Sequence, residues 1–366
     1  MRAFIRRRFF GADPVRLGVL GVGNIGTVHL KSAHAMAGVD VVAAADAVPA
    51  NRDRATAAGA TRVYDDYETL IEAETLDAVV VALPPFLHRD AVEAAADVGV
   101  DVFVEKPFAR STTEADEMLE VAADAGIRVG VDHTLRYQPD LRELKGAYDD
   151  GRVGHVPHAS MVRVNDGPLG RPPVEDAPPA WPLDPDAAGG GSLMELGVHC
   201  FDYLEWTFGP LEIRDATVDS TLEVPVEDAA TVLLEASETG TAITLHCGSY
   251  QWEELPEVNT NVRLEGITGT IESEEFLPTN FYGSAALSAL SNVVSRVTGG
   301  EPDVYGPTFY LQAHYDALAD FVEAIRAGER PPVTGEDGRR TLELVETAYG
   351  FAADDCPEAE SVEVVS

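Results

Sequence analysis

The chain has 366 residues, of which 63 are Asp or Glu and 26 are Lys or Arg, giving a formal net charge of −37. A surface this negative repels phosphate backbones and anionic lipid, which argues against nucleic acid or a membrane surface as a partner. No uninterrupted apolar run reaches about 18 residues, so a membrane-spanning helix is not expected either.

The lysines and cysteines are few and widely spaced. Lysine occurs only at Lys31, Lys106 and Lys145, and arginine supplies the other basic side chains. An acidic surface poor in lysine is typical of proteins from salt-loving organisms, in which salt screens the self-repulsion. The three cysteines form no CxxC pair, which predicts a reducing compartment, taken as the cytoplasm, and no zinc site.

The chain begins with the basic stretch MRAFIRRRFFG, in which the arginine pair resembles a twin-arginine export signal. The next apolar run, 15–22, is already the first predicted strand of the fold, so cleavage after it would remove part of a domain. We therefore expect residues 1–14 to form a disordered arm rather than an export signal.

Residues 15–134 alternate short apolar runs with amphipathic stretches. The runs are VRLGVL (15–20), DVVAAA (40–45), DAVVVAL (77–83), VDVFVE (100–105) and IRVGVD (127–132). Continuous hydrophobicity is typical of parallel strands buried on both faces. One intervening helix is well marked, with a capping box at Ser111 and Glu114 and a terminal Gly126. The pattern predicts a doubly wound α/β domain.

The first run leads into the glycine loop GVGNIG, followed by a predicted helix. Such a loop permits a tight turn, close approach of a pyrophosphate and close helix packing. The predicted cofactor contacts here are Gly21, Gly23, Asn24, Ile25 and Gly26. Asp46 ends the second run, where its carboxylate would bind ribose hydroxyls and repel a 2′-phosphate. Dinucleotide binding is predicted, with NAD favoured over NADP, although Arg52 and Arg54 could soften that preference.

Two later loops follow strands of the same predicted sheet, and ligands bind beyond the carboxyl ends of such strands. Their predicted cofactor contacts are Leu83, Pro84, His88, Glu105 and Lys106. A lysine at the end of a buried strand, in a chain with so few lysines, predicts a cation that orients or polarises a substrate hydroxyl. The alternative is a structural pairing of Lys106 with Glu105 or with a carboxylate elsewhere.

A predicted helix near residue 200 carries a polar stripe. Its members are Glu195, His199, Asp202 and Trp206. Ser192 is the predicted N-cap, and the preceding glycines, 189–191, are expected to free the backbone for a ligand. His199 could accept a hydroxyl proton while hydride leaves the same carbon. The alternative is a solvated helix face with a Glu195–His199 pair.

These segments together resemble the Gfo/Idh/MocA family of oxidoreductases, which includes glucose–fructose oxidoreductase and inositol dehydrogenases. The resemblance extends over nearly all of the chain after residue 15 and is carried by GVGNIG, PPFLH, EKP, DHTLRY (132–137), GGGSLMELGVHCFD (189–202) and the segment 316–349. It implies that Lys106 and His199 are catalytic. Glu195 stands where the family usually has aspartate, and it is kept as a substrate-binding or His-orienting residue.

The second half agrees with the resemblance. Alternating runs at 158–164, 229–236, 241–248 and 258–264 predict an α+β domain over 135–366 with an open, mainly antiparallel sheet. The resemblance implies that this sheet binds substrate and joins subunits into a homodimer or homotetramer. A proline-rich loop, 166–185, is expected to cover the active site. The expected substrate contacts are Arg136, Tyr137, Trp181, Glu195 and Asp202.

The expected activity is NAD(P)-dependent oxidation of a secondary hydroxyl on a sugar, sugar derivative or cyclitol, with no metal required. One alternative is a catalytically silent NAD(P)-binding sensor of the same fold, which would be expected to lack Lys106 or His199. Another is a dehydrogenase or reductase of a nucleotide sugar, dihydrodiol or imine, and nothing in the sequence excludes it.

Overall fold

The structure is a computed structural model that describes residues 13–165, 181–222, 224–250, 259–276 and 309–354. The chain divides into two compact units: Met1–Arg142 with Phe276–Arg339, and Glu143–Glu275 with Arg340–Ser366. Most of the predicted N-terminal arm and most of the predicted proline-rich loop lie outside the described residues.

The first unit contains a six-stranded parallel sheet in the order β3-β2-β1-β4-β5-β6. The strands are β1 (Val15–Leu20), β2 (Val39–Ala45), β3 (Val63–Tyr64), β4 (Ala78–Val81), β5 (Asp101–Val104) and β6 (Val129–Val131). Strands β4, β5 and β6 are buried at every position, which is why they read as continuous apolar runs. The strand order is that of a dinucleotide-binding fold, which confirms the predicted fold class of this half.

Helices connect the parallel strands. They are α1 (Asn24–Ala35), α2 (Pro49–Ala57), α3 (Tyr67–Ala73), α4 (His88–Asp97) and α5 (Thr112–Ala125). The predicted capping box on α5 is half correct. Ser111 Oγ accepts the Glu114 N–H at 3.2 Å, but the Glu114 carboxylate bonds Arg110 instead of returning to Ser111. Gly126 ends the helix in the left-handed conformation, at φ 71°.

The second unit contains a mixed six-stranded sheet in the order β12-β11-β7-β10-β9-β8. The strands are β7 (His158–Val164), β8 (Leu211–Asp219), β9 (Ala229–Ala236), β10 (Ala242–Gly248), β11 (Asn259–Gly266) and β12 (Gly269–Glu272). Within this sheet only the β7–β10 pair is parallel among the described strands, so the prediction of a mainly antiparallel sheet is confirmed. Sequence analysis missed β8, whose register shifts between Ile213 and Asp215 and breaks the alternation of buried and exposed residues.

The remaining helices are α6 (Pro139–Asp149), α7 (Pro185–Ala188), α8 (Val198–Phe208), α9 (Phe309–Ala327) and α10 (Gly335–Asp354). Helix α9 packs against α1 and the 3-10 turn Thr134–Tyr137 in the first unit, so that unit is discontinuous in sequence. The sequence-based boundary at residue 134 places α9 with the second half instead. Within the described residues, no helix combines the length and apolar character needed to cross a membrane.

Candidate functional site

The glycine loop after β1 has the geometry that a dinucleotide requires. Gly21 has φ +84°, and a side chain there would strike the Ala82 carbonyl. A Cβ at Gly26 would strike the Gly21 carbonyl, whereas a Cβ at Gly23 meets no described atom within 4 Å. The first and third glycines are therefore needed for the turn and for packing, and the second leaves open space for a phosphate group to approach the backbone.

Asp46 is fixed at the end of β2, next to this loop. Its Oδ2 accepts hydrogen bonds from Val22 N–H at 2.7 Å and from Asn51 Nδ2 at 3.0 Å. Its Oδ1 accepts the Val48 N–H at 2.8 Å. Arg52 donates to the backbone carbonyls of residues 46 and 47, at 2.9 and 2.8 Å. The carboxylate is thus oriented beside the glycine loop, where an adenosine ribose would be bound, and these residues fit a dinucleotide.

His88 links the two loops that follow β4 and β5. Its Nε2 lies 2.8 Å from the Leu83 carbonyl oxygen, and its Nδ1 lies 3.1 and 3.2 Å from the carbonyls of Pro107 and Phe108. Burial lowers the pKa of this imidazole. The ring is occupied by backbone contacts, so its evident role is to hold the loop containing Lys106, and a direct cofactor contact stays a prediction.

Glu105 and Lys106 differ in environment. Glu105 is 5% exposed; its Oε1 lies 2.7 Å from His29 Nε2, and its Oε2 accepts the Lys106 backbone N–H at 3.1 Å. The Lys106 residue is only half-buried. Burial opposes charge on His29, but hydrogen bonds with Asp132 and Glu105 outweigh it and raise the pKa of His29 to about 10. Because the Glu105 carboxylate contacts both His29 and the Lys106 backbone N–H, it anchors the loop that contains Lys106.

The polar stripe predicted near residue 200 begins in a π-helical turn, Leu193–Gly197, that runs into α8. His199 and Asp202 are 2% and 1% exposed, so the alternative of a solvated helix face is wrong. Glu195 is half-buried. The Lys145 ammonium lies over the Trp206 ring, with Nζ 5.0 Å from the ring centre. Buried polar groups beside a π-helical turn are frequent at functional sites.

The start of this helical segment is held by a residue that sequence analysis missed. The predicted N-cap, Ser192, is itself helical and makes no side-chain cap. The Glu227 carboxylate accepts the Gly191 and Leu193 N–H groups at 2.8 and 3.0 Å and the Tyr349 hydroxyl at 2.6 Å. A Cβ at Gly191 would strike Glu227. This glycine therefore makes room for the cap rather than for a ligand.

Two predicted substrate contacts have other neighbours within their own unit, and a third is exposed. Arg136 lies 3.5 Å from the Asp337 carboxylate. Tyr137 is buried, and burial, followed by the charge of Asp320, raises the pKa of its hydroxyl well above the ordinary value. Trp181 is exposed and directly follows residues that the structure does not describe. Substrate roles for these three residues stay predictions.

The fold and these residues define an NAD-binding oxidoreductase, and the chain belongs to the Gfo/Idh/MocA family. Residues 15–133 match the model of the oxidoreductase family with an NAD-binding Rossmann fold. Residues 141–272 match the GFO/IDH/MocA C-terminal domain.

The chain is similar to several known proteins over most of its length. Inositol 2-dehydrogenase of Rhizobium meliloti (strain 1021) is 26% identical, covering 93% of this chain and 97% of that protein. A D-xylose 1-dehydrogenase (NADP(+)) of Haloferax volcanii is 28% identical, covering 92% and 96%. The crystal structure of GenD2 from gentamicin A biosynthesis, in complex with NAD, has a TM-score of 0.77 at 22% identity, covering 94% of this chain and 95% of that one.

Proposed function

We propose that this protein is an NAD(P)-dependent dehydrogenase that oxidises a secondary hydroxyl of a sugar, sugar derivative or cyclitol. The observation that carries the proposal lies within the first unit. The glycine loop, Asp46 and Lys106 all follow strands of one parallel sheet, and the carboxyl ends of such strands meet at one edge. A cation at that edge is suited to a polar substrate beside the cofactor.

Each proposed role follows from the chemistry of the side chain. When bound to the glycine loop and Asp46, NAD(P)+ supplies the hydride acceptor. Lys106 orients the substrate hydroxyl and lowers its pKa. His199 accepts the hydroxyl proton, so that the carbinol carbon becomes a carbonyl, and Glu195 holds the substrate or the imidazole.

The relatives support the substrate class. One is named for an inositol and another for D-xylose, and both substrates carry secondary hydroxyls on a ring. NAD is the proposed preferred cofactor because the Asp46 carboxylate would repel a 2′-phosphate. We extend the proposal to a homodimer or homotetramer in the cytoplasm of a salt-loving organism. Light scattering on a sizing column in molar KCl tests the subunit number.

The activity is tested by measuring NAD(P)H formation across a panel of aldoses, polyols, inositols and nucleotide sugars in molar KCl. NAD+ and NADP+ are supplied in parallel. The proposal predicts turnover with at least one free sugar or cyclitol. Turnover restricted to nucleotide sugars, or none at all despite tight NADH binding, would contradict it.

The residue roles are tested with Lys106→Ala and His199→Ala on the substrate that the panel identifies. We expect kcat to fall by about 100-fold or more in each variant, since general acid–base groups contribute about 10²–10⁴-fold. The Kd for NADH, measured by fluorescence, should stay within about threefold of wild type if neither side chain is needed for cofactor binding. Near-normal turnover in either variant would remove that residue from the mechanism.

A further inference from the structure

Four buried side chains converge beneath the loop that contains Lys106. They are His29, Glu105, Asp132 and His314, and we refer to them as the His29 cluster. All lie in the first unit and are at most 5% exposed. His29 belongs to α1 and His314 to α9, while Glu105 and Asp132 directly follow β5 and β6. The cluster therefore joins four separate elements, and no local sequence motif contains it.

The donor atoms of the His29 cluster form one compact set. Each side chain offers one nitrogen or oxygen atom, and these four atoms all lie within 4.8 Å of one another. His29 Nε2 is 2.7 Å from Glu105 Oε1 and 3.3 Å from Asp132 Oδ2. His314 Nδ1 is 2.5 Å from Asp132 Oδ2 and 3.9 Å from Glu105 Oε1. Each nitrogen thus faces both oxygens.

This arrangement approaches that of a four-coordinate metal site. Zn²⁺ binds imidazole nitrogen and carboxylate oxygen at about 2.0–2.1 Å, which places tetrahedral ligand atoms about 3.3–3.4 Å apart. The four nitrogen–oxygen separations in the His29 cluster lie on both sides of that value, and no two of the four donor atoms are more than 4.8 Å apart.

The charges of the His29 cluster also suit a divalent ion. Two buried carboxylates need positive charge nearby, and one divalent ion placed among the four donor atoms supplies two positive charges.

We propose that the His29 cluster binds one divalent transition-metal ion, with Zn²⁺ as the best match. Two imidazoles among four ligands disfavour Mg²⁺ and Ca²⁺, which prefer oxygen ligands. Four protein ligands leave no open coordination position, so the site is structural rather than catalytic. The ion ties α1 and α9 to the ends of β5 and β6 and supports the loop containing Lys106. This site is separate from the proposed catalytic chemistry and does not depend on it.

The proposal is tested on the untagged full chain, loaded with Zn²⁺, passed through a sizing column and analysed by mass spectrometry for metal. About one Zn²⁺ per chain is expected in wild type. His314→Gln should retain less than about one tenth of that amount, because one of four ligands is lost. The control His34→Gln, which changes an exposed histidine on α1, the helix that contains His29, should retain all of it.

Two further measurements keep the outcome clear. Co²⁺-loaded wild type should show the intense visible absorption of a tetrahedral site. This measurement tests metal binding by the His29 cluster even if His314→Gln does not fold. His199→Ala should retain its metal while losing turnover, so the metal site and the proposed function can fail separately. The proposal is overturned if Zn²⁺-loaded wild type retains less than about one tenth of an equivalent, or if His34→Gln loses metal as fully as His314→Gln.

Discussion

Asp46 is the residue at which cofactor preference can be tested most simply. Its carboxylate is oriented by three hydrogen bonds at the end of β2, so its negative charge is fixed where a 2′-phosphate would lie. Asp46→Asn keeps the shape and removes the charge. We expect the NADPH:NADH affinity ratio to rise by about tenfold, which corresponds to about 1.4 kcal/mol.

Fluorescence titration with both reduced cofactors gives this ratio directly. Asp40→Asn is the control, since Asp40 is an exposed carboxylate on β2, the strand that Asp46 directly follows. An unchanged ratio in Asp46→Asn, or an equal change in the control, would show that Asp46 does not select the cofactor.

His88 contacts backbone carbonyls of both loops, which indicates a positioning role that the sequence did not predict. Because its ring contacts carbonyls of both loops, His88→Asn should shift the position of Lys106 and leave the glycine loop intact. We expect kcat to fall by about 10- to 100-fold, as small misplacements of catalytic groups do, with little change in the Kd for NADH. If instead the Kd rises and kcat is preserved, His88 contacts the cofactor as the sequence predicted.

The roles of the loop glycines could be predicted from the sequence because neighbouring residues determine them. Gly21 and Gly26 are needed by a turn and a helix that begin within a few residues of them. His29 and Asp132 could not be recognised, because their partners are 76 and 182 residues away in sequence. A histidine within a helical pattern carries no sign of which strand end it will meet.

At the scale of elements, Glu227 holds the start of the helical segment that contains His199. Removing its charge should destabilise the second unit, because Gly191 and Leu193 would lose charge-assisted hydrogen bonds worth about 1.5–3 kcal/mol. We expect Glu227→Gln to lower the free energy of unfolding in urea by about 1–3 kcal/mol. The control Glu212→Gln, which changes an exposed carboxylate on β8, should change it by less than about 0.5 kcal/mol. Equal effects in the two variants would contradict this role.

Most strands were predictable because continuous or alternating hydrophobicity follows directly from burial on two faces or one. The π-helical turn at Leu193–Gly197 was not, because an extra residue in a helical turn leaves no distinct pattern of apolar positions. The cap was missed for a related reason. Ser192 is the usual residue type for an N-cap, but the cap comes from Glu227, 34 and 36 residues from the N–H groups it accepts.

At the scale of the whole molecule, the net charge of −37 predicts a strong dependence of stability on salt. Raising KCl from about 0.1 to about 1 M shortens the Debye length from about 10 to about 3 Å and screens the repulsion. Each kcal/mol gained raises Tm by about 2–4 °C in units of about 150–250 residues. We therefore expect Tm to rise by at least about 5 °C.

Thermal scans in KCl measure this rise, and matched scans in sucrose show how much comes from exclusion of the cosolute rather than from screening. A Tm that stays level or falls between these salt concentrations would contradict the claim that charge repulsion limits the stability of the fold.

The packing of α9 within the first unit could not be predicted from the sequence, since the residues of α9 and α1 that contact each other lie far apart in the chain.

The central claim is that the protein transfers hydride from a carbinol carbon to NAD(P)+. The most direct measurement uses a substrate accepted in the panel, labelled with deuterium on the carbon to be oxidised, followed by mass analysis of the reduced cofactor. The account predicts one deuterium in each molecule of reduced cofactor. It also predicts that His199→Ala forms reduced cofactor at no more than about one hundredth of the wild-type rate. Reduced cofactor without deuterium would contradict direct hydride transfer, and with it the proposed function.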